Sequence, residues 1–246
     1  MFVVFENEHF RKHRSILMKL NERQQHILNI LRENGKVNVT TLSKDLHYSE
    51  MTIRRDLTKM EKAGLLKRSH GLALENDINS QPITTRSFAQ DGEKRKLCKE
   101  ASQYLQDKMT VFLDSSSTCM YLIPYIAEHK DMCIFTNSVQ VLLSASNFHI
   151  PCYLTGGKYY EKDMCLLGSQ AEQYASNINV DIAFFSCAGY SDDGRITDDS
   201  ESQTAVRICA MKNAKKNILL FDSTKKNMTY AFTVCHKEDV YRMITI

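Results

Sequence analysis

The sequence predicts an α/β protein in two parts: an N-terminal winged helix-turn-helix, then a mostly parallel sheet domain with helices on both faces. Three observations predict it. Short helical patterns, a tight turn and a hairpin fill residues 21–74. From residue 110 onward, strand-like runs alternate with helix-like ones, the pattern of parallel strands joined by crossover helices. Charge divides at the same boundary. Residues 1–74 carry 14 Lys and Arg against 8 Asp and Glu, a net +6, whereas residues 75–246 carry 18 against 21, a net −3.

In the head, Asn21 to Arg32 places Ile27, Leu28, Ile30 and Leu31 on a helix that Asn34-Gly35 stops. Val37 and Val39 cross a short extended piece. Thr40 or Thr41 then opens a second helix through Leu42 and Leu46, His47-Tyr48 makes the turn, and Ser49 caps the third helix. In that helix Ile53, Leu57 and Met60 form one apolar stripe. At about 100° per residue, Met51, Arg55, Thr58 and Lys62 face away from it, with Thr52 and Lys59 beside them and Arg54 on the flank. Taken alone, this is also the pattern of a solvated surface helix. Between a bracing helix and a hairpin it reads as a helix that enters the DNA major groove. Leu65 to Leu74 is the hairpin, turning near His70-Gly71, a wing whose Lys67 and Arg68 lie near phosphate. Base contacts are expected from Thr52, Arg55, Met51 and Lys59. Phosphate contacts are expected from Arg54, Lys67, Arg68 and His70, and Thr41 and Ser49 complete the DNA-binding set. A basic head suits a polyanion, and the acidic body argues against nucleic acid covering the whole chain.

A length of 246 residues and a hydrophobic content of 43% suit two packed domains. Residues 18–74 are read as the winged helix-turn-helix, 75–91 as a linker and 92–246 as the α/β domain. Residues 1–17 are expected to be a loose extension, the product of an upstream start. They lack the features of a signal peptide, and no run of 18 apolar residues occurs, so a cytoplasmic chain without a membrane span is expected. All eight cysteines follow residue 97, scattered and without a C-x-x-C pair. That spacing predicts buried reduced thiols and no metal site.

The run from Arg23 to Ala73 resembles the helix-turn-helix of the DeoR family of bacterial transcriptional regulators. The resemblance rests on Thr52-Ile53-Arg54-Arg55-Asp56-Leu57, on Gly64-Leu65-Leu66-Lys67-Arg68 and on His70-Gly71. Leu72 stands where the family usually has a second wing glycine. The resemblance extends over roughly nine-tenths of the chain.

In the second domain the strand candidates are residues 110–113, 133–136, 151–154, 181–186, 217–221 and 243–246. The helical candidates are 119–128, 138–144, 168–177 and 202–214, preceded by a helix near 97–105. Ligands of such sheets bind at the carboxyl ends of the strands. Those ends carry Asp114-Ser115-Ser116-Ser117-Thr118, Thr136-Asn137-Ser138, Thr155-Gly156-Gly157, Ala188-Gly189 and Asp222-Ser223-Thr224-Lys225. Each run alone is an ordinary cap or turn. Together they supply hydroxyls, backbone N–H groups and a lysine, which suit a phosphate. Asp114, Asp198 and Asp222 would accept sugar hydroxyls or orient the donors. The expected set is Asp114, Ser115, Ser117, Thr118, Asn137, Ser138, Gly156, Gly157, Gly189, Asp198, Asp222 and Lys225.

The family resemblance implies the same place, a phosphosugar effector site on a fold similar to ribose-5-phosphate isomerase. Asp114-Ser115 and Ser117-Thr118 match the family's Asp-Ser-Gly-Thr-Thr loop. Thr136-Asn137-Ser138, Gly156-Gly157, Gly168, Asp181, Gly194, Thr197-Asp198, Asp222-Ser223 and Lys225 match as well. Ser116 replaces the loop glycine, Ser202-Gln203 stands where acids are common, and Lys226-Asn227 replaces an aromatic-glycine pair. The resemblance implies a repressor of a carbohydrate operon, a homodimer or homotetramer on double-stranded DNA, with a phosphorylated sugar as effector and no cofactor. Two alternatives stand beside it: an isomerase-like enzyme with Asp114 or Asp198 as base, and a DNA-binding protein whose second domain only oligomerises.

Overall fold

The computed structural model describes residues 20–62, 65–69, 71–75, 81–87 and 90–246. The expected extension 1–17, His70 and much of the expected linker lie outside the described residues. The chain divides into two compact units, with the boundary between Arg86 and Ser87.

In the first unit, α1 (Glu22–Asn34) begins at a capping box in which Asn21 Oδ1 accepts the Gln24 N–H at 2.9 Å and Gln24 Oε1 accepts the Asn21 N–H at 3.2 Å. It ends at Gly35, whose φ of 70° favours glycine. After β1 (Lys36–Asn38) comes α2 (Val39–Asp45). The sequence places its start at Thr40 or Thr41, whereas Asn38 is the cap, its Oδ1 accepting the Thr41 N–H at 2.6 Å. Asparagine is among the strongest caps, so the helix begins earlier and draws Val39 out of the extended piece. Ser49 caps α3 (Glu50–Lys62), its hydroxyl accepting the Thr52 N–H at 3.3 Å. The wing is β2 (Leu66–Ser69) and β3 (Leu72–Glu75), and β1 pairs with β3 to make a three-stranded sheet. Ile27, Leu31, Val39, Leu42, Ile53, Leu57, Met60 and Leu66 form one core, the buried stripe that the spacing of α3 requires. The short α4 (Ile83–Arg86) occupies part of the expected linker.

The second unit runs α5 (Asp91–Ala101), β4 (Thr110–Leu113), a 3-10 turn (Cys119–Leu122) leading into α6 (Ile123–Ile126), β5 (Cys133–Thr136), α7 (Val139–Asn147) and β6 (Cys152–Leu154). It continues with β7 (Lys158–Tyr160), β8 (Cys165–Leu167), α8 (Ser169–Ser176), β9 (Val180–Phe185), β10 (Gly189–Tyr190) and β11 (Arg195–Asp198). Then come α9 (Glu201–Lys212), β12 (Ala214–Phe221), β13 (Phe232–His236) and β14 (Arg242–Thr245). Six strands form a wholly parallel sheet in the order β14-β12-β9-β4-β5-β6. Alternate strand residues face opposite sides. Val111, Leu113, Ile182, Phe184, Ile218 and Leu220 pack with Leu97, Ile126 and Val141 on one side. Phe112 and Ala183 pack with Ala171, Ala175, Val206 and Ala210 on the other. The chain builds outward from β4 through β5 to β6, then returns to lay β9 on the other flank of β4. The strand order therefore reverses between β4 and β9. Two antiparallel pieces were not foreseen, a β7–β8 hairpin and a small β10-β11-β13 sheet.

Candidate DNA-reading helix and ligand crevice

On α3 the exposed residues are those the helical spacing turns outward. Met51 is 82% exposed, and Arg54, Arg55, Lys59 and, on the wing, Lys67 are also exposed. Arg54 pairs with Glu50 at 3.2 Å, and Glu50 also accepts the Thr40 hydroxyl at 2.8 Å, tying α2 to α3. Arg55 makes no hydrogen bond or ion pair among the described residues. Thr52 lies half-exposed with its hydroxyl 3.0 Å from that of Ser49, and Thr41 is exposed in the first turn of α2. Arg68, expected at phosphate, also makes contacts within the fold. Its guanidinium donates to Thr58 Oγ1 at 2.5 Å and lies 3.8 Å from Glu61, while its backbone N–H donates to Glu61 at 3.0 Å. It therefore braces the wing against α3.

Sequence reasoning missed Asp56. Only 2% exposed, it accepts Arg23 Nε at 2.5 Å and Gln24 Nε2 at 3.1 Å, locking α3 to α1. The same guanidinium lies 4.4 Å over the Tyr48 ring in the turn. The signal was present: Asp56 is an acid lodged within the apolar stripe of Ile53, Leu57 and Met60.

In the second unit, the switch point between β4 and β9 holds a buried polar network. Asp114 Oδ2 accepts the Ser186 N–H at 3.1 Å, and its Oδ1 accepts the Ser116 N–H at 3.0 Å. Arg207 of α9, 5% exposed, donates from Nε to Asp114 at 2.8 Å, from a second nitrogen to Asp198, and from a third to Gln203 Oε1 at 3.2 Å. Burial opposes its charge, but the Asp198 and Asp114 carboxylates outweigh this and hold its pKa above the ordinary value. Ser115 Oγ donates to Gln203 at 3.4 Å and accepts Asn137 Nδ2 at 3.5 Å. Arg207 and Gln203 were absent from the expected set. Arg207 was detectable as the lone charge in the otherwise uncharged run from Ser202 to Met211.

Other expected residues have local work. Ser138 Oγ caps α7 by accepting the Val141 N–H at 3.3 Å, and Asn137 Nδ2 also reaches the Leu166 carbonyl at 3.3 Å. Asp222 accepts the Thr224 N–H at 3.0 Å. A Cβ on Gly157 would meet the Leu167 carbonyl, and one on Gly189 the Met228 carbonyl, so both glycines allow close backbone approach. Gly156 faces open space at φ 75°. Ser117 and Thr118 are buried in the loop after β4. Beside burial, Lys225, Arg207, Asp198 and Asp222 all act electrostatically on the Cys187 thiol. Burial pushes that thiol up to about 12, which disfavours the reactive thiolate. Among the described residues no cluster of His, Cys, Asp and Glu suits a metal, and no helix is long and apolar enough to cross a membrane.

Residues 23–79 match the family model of the DeoR-like helix-turn-helix domain, and residues 89–245 match that of the DeoR C terminal sensor domain. The chain is 30% identical over 231 residues to a helix-turn-helix-type transcriptional regulator of Bacillus subtilis, covering 93% of this chain and 89% of that one. It is 27% identical over 228 residues to the L-fucose operon activator of Escherichia coli, covering 91% and 93%. It is 28% identical over 237 residues to the lactose phosphotransferase system repressor of Staphylococcus epidermidis, covering 93% and 92%. The ribose 5-phosphate isomerase of Methanocaldococcus jannaschii superposes with a TM-score of 0.42 at 19% identity, over 56% of this chain and 55% of that one, a likeness that carries no argument about function. With both units matched and relatives aligned over most of their length, the chain belongs to the DeoR family of DNA-binding transcriptional regulators.

Proposed function

We propose that this regulator represses a carbohydrate-metabolism operon and is released by a phosphorylated sugar bound at the carboxyl ends of the parallel strands. The observation that carries the reading is the reversal of strand order between β4 and β9, where sheets of this kind bind ligands. The Ser115–Thr118 hydroxyl loop and the buried Arg207 lie at that point, and Lys225 follows β12 at the same end of the sheet. Hydroxyls and cations there suit a phosphate, and Gly156 leaves room for the backbone to approach it. Two relatives are named for sugars, lactose and L-fucose.

In this reading a homodimer or homotetramer in the cytoplasm holds paired heads on operator half-sites. The phosphosugar prefers the state that binds operator poorly, so affinity falls by the ratio of its affinities for the two states. Turnover is not part of the reading. Asp114 and Asp198 both bind Arg207, and Asp114 also accepts the Ser186 and Ser116 N–H groups and Asp198 the Ser200 N–H, which leaves neither poised as a base.

Thermal unfolding against a panel of pentose and hexose phosphates tests the proposal. A ligand at 100 times its Kd adds about 2.7 kcal/mol, a visible rise in Tm. No response across the panel would favour a purely oligomerising second unit, and measurable isomerisation would favour an enzyme.

A further inference from the structure

We propose that Gln203 is a positioning residue that links occupancy of the Ser115 loop to the turn at residues 161–164, between β7 and β8. The inference rests on the reading of the crevice as a phosphosugar site. The turn reaches from the start of α7 to the start of α9. At one support Met164 O accepts the Val139 N–H at 2.9 Å, and the Leu166 N–H donates to Asn137 O at 2.8 Å. At the other, Gln203 Nε2 donates to Asp163 Oδ2 at 2.7 Å, and Lys162 Nζ lies 4.0 Å from Asp199. Gln203 and Asp163 are each 8% exposed, whereas all of β7 is exposed. The hairpin is thus held at its turn and along β8 rather than by packing of β7. Met164 also sits at φ 45°, a conformation costly for a residue with a side chain.

The Gln203 amide faces both ways. Its oxygen accepts Ser115 Oγ and Arg207, and its nitrogen holds Asp163. A serine hydroxyl has one proton to give, and here Gln203 receives it. A phosphate oxygen that takes that proton removes one of the bonds fixing the amide. Arg207, itself pinned by Asp114 and Asp198, keeps the other. The amide then turns toward Arg207 and its nitrogen leaves Asp163, which removes one tie between the turn and α9. Ligand at Ser115 therefore loosens the turn.

The test uses the full chain. Ser115→Ala withdraws the proton as a ligand would. Without ligand it should speed hydrogen exchange at the Met164 and Leu166 amides about fivefold, the weight of one hydrogen bond. In a Gln203→Leu background the same substitution should add nothing. No acceleration in the parent chain, slower exchange, or equal acceleration in both backgrounds overturns the proposal. If the Leu variant fails to fold, Gln203→Glu replaces it. It keeps the size and the acceptor toward Ser115 and Arg207, and its carboxylate cannot donate to Asp163. Its turn should already exchange fast and ignore Ser115→Ala, and slow exchange there overturns the relay. The chain has no Trp and Tyr159 is 48% exposed, so Tyr159→Trp reports on the hairpin. Inorganic phosphate and glucose 6-phosphate are the probes, with binding followed by calorimetry. Binding without a change in the reporter's fluorescence overturns the relay. Absence of binding counts against the phosphosugar reading, while the exchange experiment still decides the relay.

Discussion

Arg54, Arg55 and Asp56 are consecutive on α3, and their neighbours assign them three different tasks. Arg54 spends its charge on Glu50, Arg55 faces outward, and Asp56 is buried under Arg23 and Gln24. Arg55→Ala should cost about 1–3 kcal/mol of operator binding and relax sequence preference, read from titrations against operator and scrambled duplexes. Equal weakening on both would make Arg55 a phosphate contact instead. Its effect on folding should stay within about 0.5 kcal/mol, as for other surface sites. At the switch point, Arg207→Ala leaves Asp114 and Asp198 buried without their cation. Removing one partner of a buried ion pair costs about 3–5 kcal/mol, so urea unfolding of the second unit should shift by that order. A variant as stable as the parent chain would mean that water already shields those carboxylates.

At the scale of elements, polar side chains tie strands and helices in register. Asp181, at the start of β9, accepts the Thr110 N–H at 2.8 Å and Lys215 Nζ at 2.7 Å, joining β9 to β4 and β12. The Lys215 ammonium, with the Thr110 N–H, holds its carboxyl below the ordinary carboxylate value. A lowered folded pKa means that this carboxylate stabilises the fold fully above the unfolded value, about 4, and loses that contribution as pH falls through the folded value. Asp181→Asn should therefore flatten the acid limb of a stability–pH profile and leave the shape of the profile above that limb unaltered; an unchanged acid limb would remove Asp181 as a contributor. The six parallel strands were visible in sequence because strands covered on both faces read as short apolar runs. The β7–β8 hairpin was not, because β7 is wholly exposed and reads Lys-Tyr-Tyr, without alternation. The β10-β11-β13 sheet was missed because one of its strands is only the pair Gly189–Tyr190.

For the whole molecule the governing feature is the basic head on the acidic body. Lys67→Ala should weaken binding to all duplexes alike and reduce the slope of log affinity against log salt by about 1. An unchanged slope would take Lys67 off the phosphate. If two copies act together on paired half-sites, inserting about half a helical turn between them should weaken binding, and a full turn of about 10 base pairs should restore it. Binding indifferent to that spacing would favour independent heads.

Local pattern alone determined the winged head, its outward cations, the six core strands and the polar strand ends, because helical and strand periodicities and capping residues act over a few neighbouring positions. The tertiary structure alone decided which polar residues face one another. Arg207 meets Asp114 across 93 positions of chain and Asp56 meets Arg23 across 33. A charge within an uncharged run or an apolar stripe announces that it needs a partner, but only the folded chain, by excluding water from the pair, selects which one.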